Sequence, residues 1–182
     1  MIGAFILCGG QSSRMGDFKP LVQWNDQPLI EYIITKAQRI NLPVHLVTKP
    51  HQRHLLSSLG LPIIEDVESL THPLSGVVTA LEHAAQIHFQ SVLILPCDTP
   101  LITSETLGRM IAHCPSVLAD HTGTLHPLIS HVSCAHLASA KRLLNLQSSM
   151  IAFAESFLRV TVSKEESVNF NHLTDLQRPI TF

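Results

Sequence analysis

An α/β fold with a mostly parallel sheet covered by helices is predicted by three observations. Short apolar runs of β character recur along the whole chain, longer amphipathic segments separate them, and glycines follow the first run directly. The strands expected from these runs are 2–8, 44–48, 62–65, 91–97, 116–119, 125–131 and 159–162. Helical apolar spacing places one helix over 29–37 and a second over 76–89. Thr103 or Ser104 caps a helix running to Ile111, and Ser148 or Ser149 caps one running from Met150 to Phe157.

A length of 182 residues with 45% hydrophobic content suits one compact domain over 1–182 with a single sizeable core. Only 14% of residues are charged and the net charge is −2, so no broad basic face is available for a nucleic-acid backbone. The first eight residues are apolar but lack a cationic leader and are too short to span a bilayer, so the expectation is a cytoplasmic protein without a membrane. Four scattered cysteines lack zinc-site spacing and are expected to be reduced thiols. Of the twelve histidines, only His51 and His54 stand three apart, which does not make a metal site.

The most informative segment is 7–21, Leu-Cys-Gly-Gly-Gln-Ser-Ser-Arg-Met-Gly-Asp-Phe-Lys-Pro-Leu. Gly9 and Gly10 follow a strand, where successive amide groups form a concavity for anions. Ser12, Ser13, Arg14 and Lys19 add donors and positive charge where a polyphosphate would lie. Arg14 binds phosphate or braces the loop, and Asp17 reads as a turn former. The phosphate loop with lysine beside the second glycine is absent, as is the dinucleotide fingerprint, which removes the main support for kinase-like and dehydrogenase readings.

A second segment, 92–101, is an apolar strand ending in Pro96-Cys97-Asp98-Thr99-Pro100. Asp98 should emerge at the carboxyl end of its strand, where open α/β sheets bind ligands. A lone carboxylate there suits magnesium, which completes its shell with phosphate oxygens and water; the same residue could instead cap a helix or form a turn. Loop, cations and carboxylate together meet the needs of nucleotidyl transfer, in which charge rises on phosphate oxygens.

With these two segments, Ile64-Glu65-Asp66, Pro73-Leu74-Ser75-Gly76, His126-Pro127-Leu128 and Asn169-Phe170-Asn171 occur in an order that resembles the molybdenum cofactor guanylyltransferases over nearly the whole chain. The resemblance implies a three-layer α/β/α sandwich of Rossmann-like nucleotidyltransferase type. It implies transfer of GMP from GTP to the phosphate of molybdopterin, with Mg2+ as cofactor and pyrophosphate as product. Leu7, Cys8, Gly9 and Gly10 would contact the nucleotide, as would Asp66. Lys19 would hold its phosphates and Asp98 the metal and GTP, with Arg14 beside them. His126, Asn169 and Asn171 would border the acceptor. Other cofactor-biosynthesis proteins are candidate partners, whereas nucleic acid and membrane are not.

Departures from the family pattern are Thr48 where asparagine is common, Cys8 for alanine, His72 for glycine and His172 for threonine. Thr48 would replace the asparagine's nucleotide contact in part. Two other readings stay open at this point: a cytidylyltransferase or sugar-phosphate nucleotidyltransferase, and a nucleotide-binding module without turnover.

Overall fold

The computed structural model describes residues 1–9, 18–66 and 72–177. Nine strands and six α-helices follow one another in this part of the chain. They are β1 (Ile2–Leu7), β2 (Gln23–Trp24), β3 (Gln27–Pro28), α1 (Leu29–Arg39), β4 (Val44–Thr48), α2 (Arg53–Leu56), β5 (Ile63–Glu65), α3 (Pro73–Gln86) and β6 (Ser91–Pro96). Beyond them lie α4 (Ser104–Ile111), β7 (Ser116–Asp120), β8 (Leu125–Ser133), α5 (Leu137–Asn145), α6 (Met150–Ala154) and β9 (Leu158–Val162).

Seven strands form one sheet in the order β5-β4-β1-β6-β8-β7-β9. All its strand pairs are parallel except those of β8, which runs against both β6 and β7. Strand alternation sends side chains to opposite faces, and the two faces bury separate cores. Ala4, Ile6, Leu46, Leu93 and Leu95 pack with Ile30 and Ile33 of α1 and Leu107 and Met110 of α4. Phe5, Val47, Val92 and Ile94 pack on the other side with Val77 and Leu81 of α3, Ala140 of α5 and Phe153 of α6. Helices therefore cover both faces, giving the expected three layers. Among the described residues no helix is long and apolar enough to cross a membrane.

A third, smaller cluster lies outside these layers, where Trp24, Leu29 and Phe170 are buried together with Tyr32 and Val168 beside them. Trp24 belongs to a hairpin that the apolar pattern does not reveal. Asn25 and Asp26 link β2 and β3 with φ of 48° and 63°, the left-handed pair that matches the twist of a two-residue hairpin.

Several expected boundaries move. The helix expected over 76–89 begins three residues earlier, because the His72 Nδ1 accepts the Leu74 N–H at 3.1 Å and Pro73 needs no donor at the first helical position. The helix expected over 150–157 stops at Ala154, and α5 was not expected. Helices α1, α3 and α5 end in one way: Asn41, His88 and Gln147 take positive φ. The next residue's N–H in each case reaches back five places, as Leu42 does to Ala37, Phe89 to Ala84 and Ser148 to Leu143. These Schellman ends use residues other than glycine, which removes the usual sequence signal for a helix stop.

Gly3 shows how closely α3's end approaches the sheet. A methyl group added there would sit 2.4 Å from the Phe89 ring, and that ring packs edge-on against His45 at 5.7 Å between centroids. Gly3→Ala is expected to destabilise the fold by ~1–3 kcal/mol through overpacking. A lowered urea midpoint with unchanged slope would confirm this, whereas an unchanged midpoint would mean that the ring moves aside without cost.

Candidate active site

β1 and β6 lie side by side at the centre of the sheet, with Leu7 opposite Pro96. The chain leaves β1 toward β4 and β5 on one side, whereas β6 and the strands after it lie on the other. Strand order reverses between them, and such a switch point opens a crevice beyond the carboxyl ends of the strands. Gly9 and Asp98 emerge on its two sides. A methyl group on Gly9 would rest in ordinary contact with Lys49, at 3.5 Å. Gly9 is exposed, so the missing side chain leaves its backbone open to the crevice. Gly10, Ser12, Ser13, Arg14 and Asp17, all named above, lie outside the described residues.

Lys19 begins a single 3-10 turn whose Pro20 is buried. Its Nζ donates to Asp98 Oδ2 at 2.5 Å and to Asn171 Oδ1 at 2.6 Å. Both members of the ion pair are largely enclosed, with 16% and 15% of their side chains accessible. The other carboxylate oxygen, Asp98 Oδ1, is buried and receives no hydrogen bond among the described residues. A buried, bare carboxylate oxygen is costly unless a ligand or cation serves it.

Asp98 is fixed by its backbone on both sides. Its carbonyl accepts the Phe170 N–H at 2.7 Å. Two residues on, the Pro100 carbonyl accepts from Lys36 Nζ of α1, a lysine whose burial lowers its pKa to about 8. Asn171 is held in turn by Asp175, whose Oδ2 accepts the N–H groups of Asn171 and His172 at 2.9 and 2.8 Å. Asn171, expected on the acceptor side, thus joins Lys19 and Asp98 directly. No strand forms at 169–171, so the expected alternation does not apply: Phe170 is buried in the small cluster, and Asn169 is exposed.

A second polar group stands across Gly9. Asp66 Oδ2 accepts from Lys49 Nζ at 2.8 Å, while Oδ1 accepts from Ser75 Oγ at 2.6 Å and Thr79 Oγ1 at 2.8 Å on α3. The Asp66 N–H donates to the Thr48 carbonyl at 2.8 Å. Thr48 itself is completely buried, with its hydroxyl 3.3 Å from Gln52 Oε1. The Thr48 hydroxyl, expected to replace part of an asparagine's nucleotide contact, is thus engaged inside the protein at the end of β4. Lys49, one residue on, holds the crevice position and was missed. Its signal was a lysine directly after a buried strand at the same sheet edge.

Leu7 is half-buried and Cys8 almost fully buried, and the Cys8 N–H continues the ladder to the Val47 carbonyl at 2.7 Å. Burial pushes the Cys8 thiol well up, with Cys97 adding to the effect. Burial likewise raises Cys97, with the Asp98 charge second. Both thiols therefore stay protonated and unreactive beneath the crevice. All four cysteines are free, and no cluster of three metal-binding side chains occurs among the described residues.

His126 stands at the same sheet edge, opposite Leu118, where β8 has three extra residues before pairing resumes at Ser130 with Val117. Pro127 fits this interruption because it has no N–H for the ladder. The bulge leaves His126 Nε2 at 3.8 Å from Asp120 Oδ2.

Comparison with known proteins agrees with this geometry. The family model of the MobA-like NTP transferase domain matches residues 4–160. The chain is 36% identical to a probable molybdenum cofactor guanylyltransferase of Flavobacterium johnsoniae, over 94% of this chain and 90% of that protein. It is 32% identical to the molybdenum cofactor guanylyltransferase of Pasteurella multocida, over 96% of each. Among solved structures, the molybdopterin-guanine dinucleotide biosynthesis protein A of Archaeoglobus fulgidus superposes with a TM-score of 0.75 at 20% identity, covering 97% of this chain and 95% of that one. The chain, with its switch-point crevice and facing Lys19–Asp98 pair, belongs to the MobA-like NTP transferase domain family.

Proposed function

We propose that this protein transfers GMP from GTP to the phosphate of molybdopterin, releasing pyrophosphate and forming the guanine dinucleotide cofactor. The observation that carries the reading is the enclosed Lys19–Asp98 pair at the switch-point crevice, whose second carboxylate oxygen has no hydrogen-bond partner among the described residues. The names of relatives that match nearly end to end support the same chemistry. Free thiols accord with the reducing cytoplasm expected for such an enzyme.

In this reaction an oxygen of the acceptor phosphate forms a bond to the α-phosphorus of GTP. The bond from that phosphorus to the bridging oxygen breaks, and its electrons leave with pyrophosphate. Negative charge builds on the phosphate oxygens, where the Lys19 ammonium offsets it. Asp98 and Asn171 hold that ammonium toward the crevice, so little reorganisation is needed at the moment of transfer. Asp98 fits Mg2+ as a ligand, because a single hard carboxylate oxygen with phosphates and water is a common magnesium environment. When bound, the ion supplies further charge neutralisation on the phosphates. The protonated thiols and the geometry of the pair favour direct displacement without a covalent enzyme intermediate.

The test is pyrophosphate release on mixing the protein with GTP, Mg2+ and molybdopterin, with CTP, ATP and UTP as parallel arms. Release with GTP above the others is expected, and a preference for CTP would overturn the reading. Lys19→Ala should lower the rate by ~100-fold or more, the cost of losing one donor to the transition state. Near-normal turnover in that variant would remove Lys19 from the mechanism.

A further inference from the structure

The turn that carries the chain from Asp98 into α4 is held at two points by one residue of α1. Lys36 Nζ donates to the carbonyl of buried Pro100, and the Lys36 carbonyl accepts from Ser104 Oγ at 3.1 Å. Both ends of the 100–104 turn therefore rest on this lysine, and Asp98 stands two places before the first of them. The ammonium also lies 5.9 Å from the centroid of the Tyr32 ring, one turn earlier on α1. The charged groups that act on it are Arg39 on its own helix and Glu166 from the segment after β9. Glu166 Oε1 is tied to α4, where it accepts from the Thr103 N–H, Thr103 Oγ1 and Thr106 Oγ1 at 3.2, 2.7 and 2.7 Å.

We infer that Lys36 is a positioning residue for nucleotidyl transfer: by holding the Pro100 carbonyl it sets the place of Asp98 and, through Asp98, that of the Lys19 ammonium. Lys36 acts through the turn alone and touches neither nucleotide nor metal. A misplacement of ~1 Å caused by a change remote from the chemistry costs ~100-fold in rate, so one tie to this turn is enough to matter. Its strength depends on charge, because a charged donor makes a hydrogen bond about twice as strong as a neutral one. Burial, and then Arg39, lowers the Lys36 pKa to about 8, with Glu166 opposing them. As pH rises through that value the ammonium becomes an amine, the tie weakens and transfer slows. Stability responds the other way. A lysine whose pKa is lowered in the folded protein binds more protons when unfolded between about 8 and 10.5, so its contribution to stability rises with pH over that window. A lysine that served folding alone would not set activity against stability in this manner. The inference rests on the transfer proposed above and adds a residue on which its rate depends.

The experiment measures pyrophosphate release from GTP, with Mg2+ and molybdopterin, across a pH range that brackets 8, for the wild type, Lys36→Met and Lys36→Arg. Thermal melts at each pH give the folded fraction, and rates are expressed per folded protein. Wild-type kcat is expected to fall by ~3–10-fold as pH rises through about 8. Lys36→Met should lower kcat at neutral pH by ~10–100-fold and show no step near pH 8. Its KM for GTP should stay within ~3-fold of the wild type, the pattern of a loss felt in the transition state. Lys36→Arg, whose guanidinium stays charged, should restore most of the neutral-pH kcat and hold it above pH 8. The wild-type alkaline step appearing in either variant would assign the titration to another group and overturn the inference. A Lys36→Met kcat within ~2-fold of the wild type at neutral pH would overturn it too. Should one variant fail to fold, the other still decides through the presence or absence of that step. A wild type that releases no pyrophosphate at any pH would instead overturn the proposed transfer, and this inference with it.

Discussion

Asp98→Ala is expected to slow GMP transfer by on the order of 10³-fold while leaving the protein folded. The size follows from the two functions that meet at this carboxylate. Its Oδ2 holds the Lys19 ammonium at 2.5 Å, and its buried Oδ1 has no partner among the described residues. Removing it releases Lys19 to Asn171 and solvent and deletes the carboxylate proposed to hold Mg2+. Each loss acts where charge develops, and one such group is worth ~10²–10³ in rate. The fold should tolerate the change, because Lys19 retains partial access to water and Asn171, so no buried charge is stranded. Single-turnover pyrophosphate release, with a thermal melt as control, measures both. Loss of less than ten-fold in a protein that melts normally would assign the metal and the Lys19 anchor elsewhere. Raising Mg2+ should not rescue the variant, whereas a weakened but intact site would respond.

Phe170→Ala carries the largest expected effect on stability, a loss of ~3–5 kcal/mol. The ring has no solvent exposure and packs edge-on against Trp24 at 5.0 Å between centroids. The small cluster it completes has few buried members to close around a cavity. The same residue's N–H binds the Asp98 carbonyl, and the next residue's side chain binds Lys19. Activity should therefore fall along with stability, even at temperatures where most of the variant remains folded. Phe170→Leu, which fills more of the volume, should recover most of both. Urea denaturation followed by activity at a fixed folded fraction separates the two effects. A stability loss under ~1 kcal/mol would mean that the C-terminal segment is not anchored through this ring.

The large strands were legible because they are apolar runs of the right length, and their alternation with amphipathic segments predicted a mostly parallel sheet covered by helices, whereas the three layers came from the family resemblance. Helix ends were less so. Asn41, His88 and Gln147 occupy positions where glycine usually marks a stop, and His72 caps α3 in place of a more familiar residue. The β2–β3 hairpin has only two residues per strand, too short for any periodic pattern. Its Asn25-Asp26 turn was its one signal. Helix α5 is short, nine residues, and buries only Ala140 completely.

Lys19, Asp98 and the glycine opening could be read directly, because a glycine turn and a carboxylate at strand ends have chemical meaning before any folding. The same was true of Asp66, through its family resemblance, though its actual partners were not. Lys49 beside Gly9 was not named, because its pairing with Asp66 joins the ends of two different strands and is not visible in either one. The union of Lys19, Asp98 and Asn171 spans 152 positions of sequence between its outer members. Local patterning thus determined the strands, the layers and the types of groups at the sheet edge. Only tertiary packing decided which of those groups touch, because ion pairs and buried hydrogen bonds depend on the meeting of distant segments, and local periodicity carries no record of that meeting.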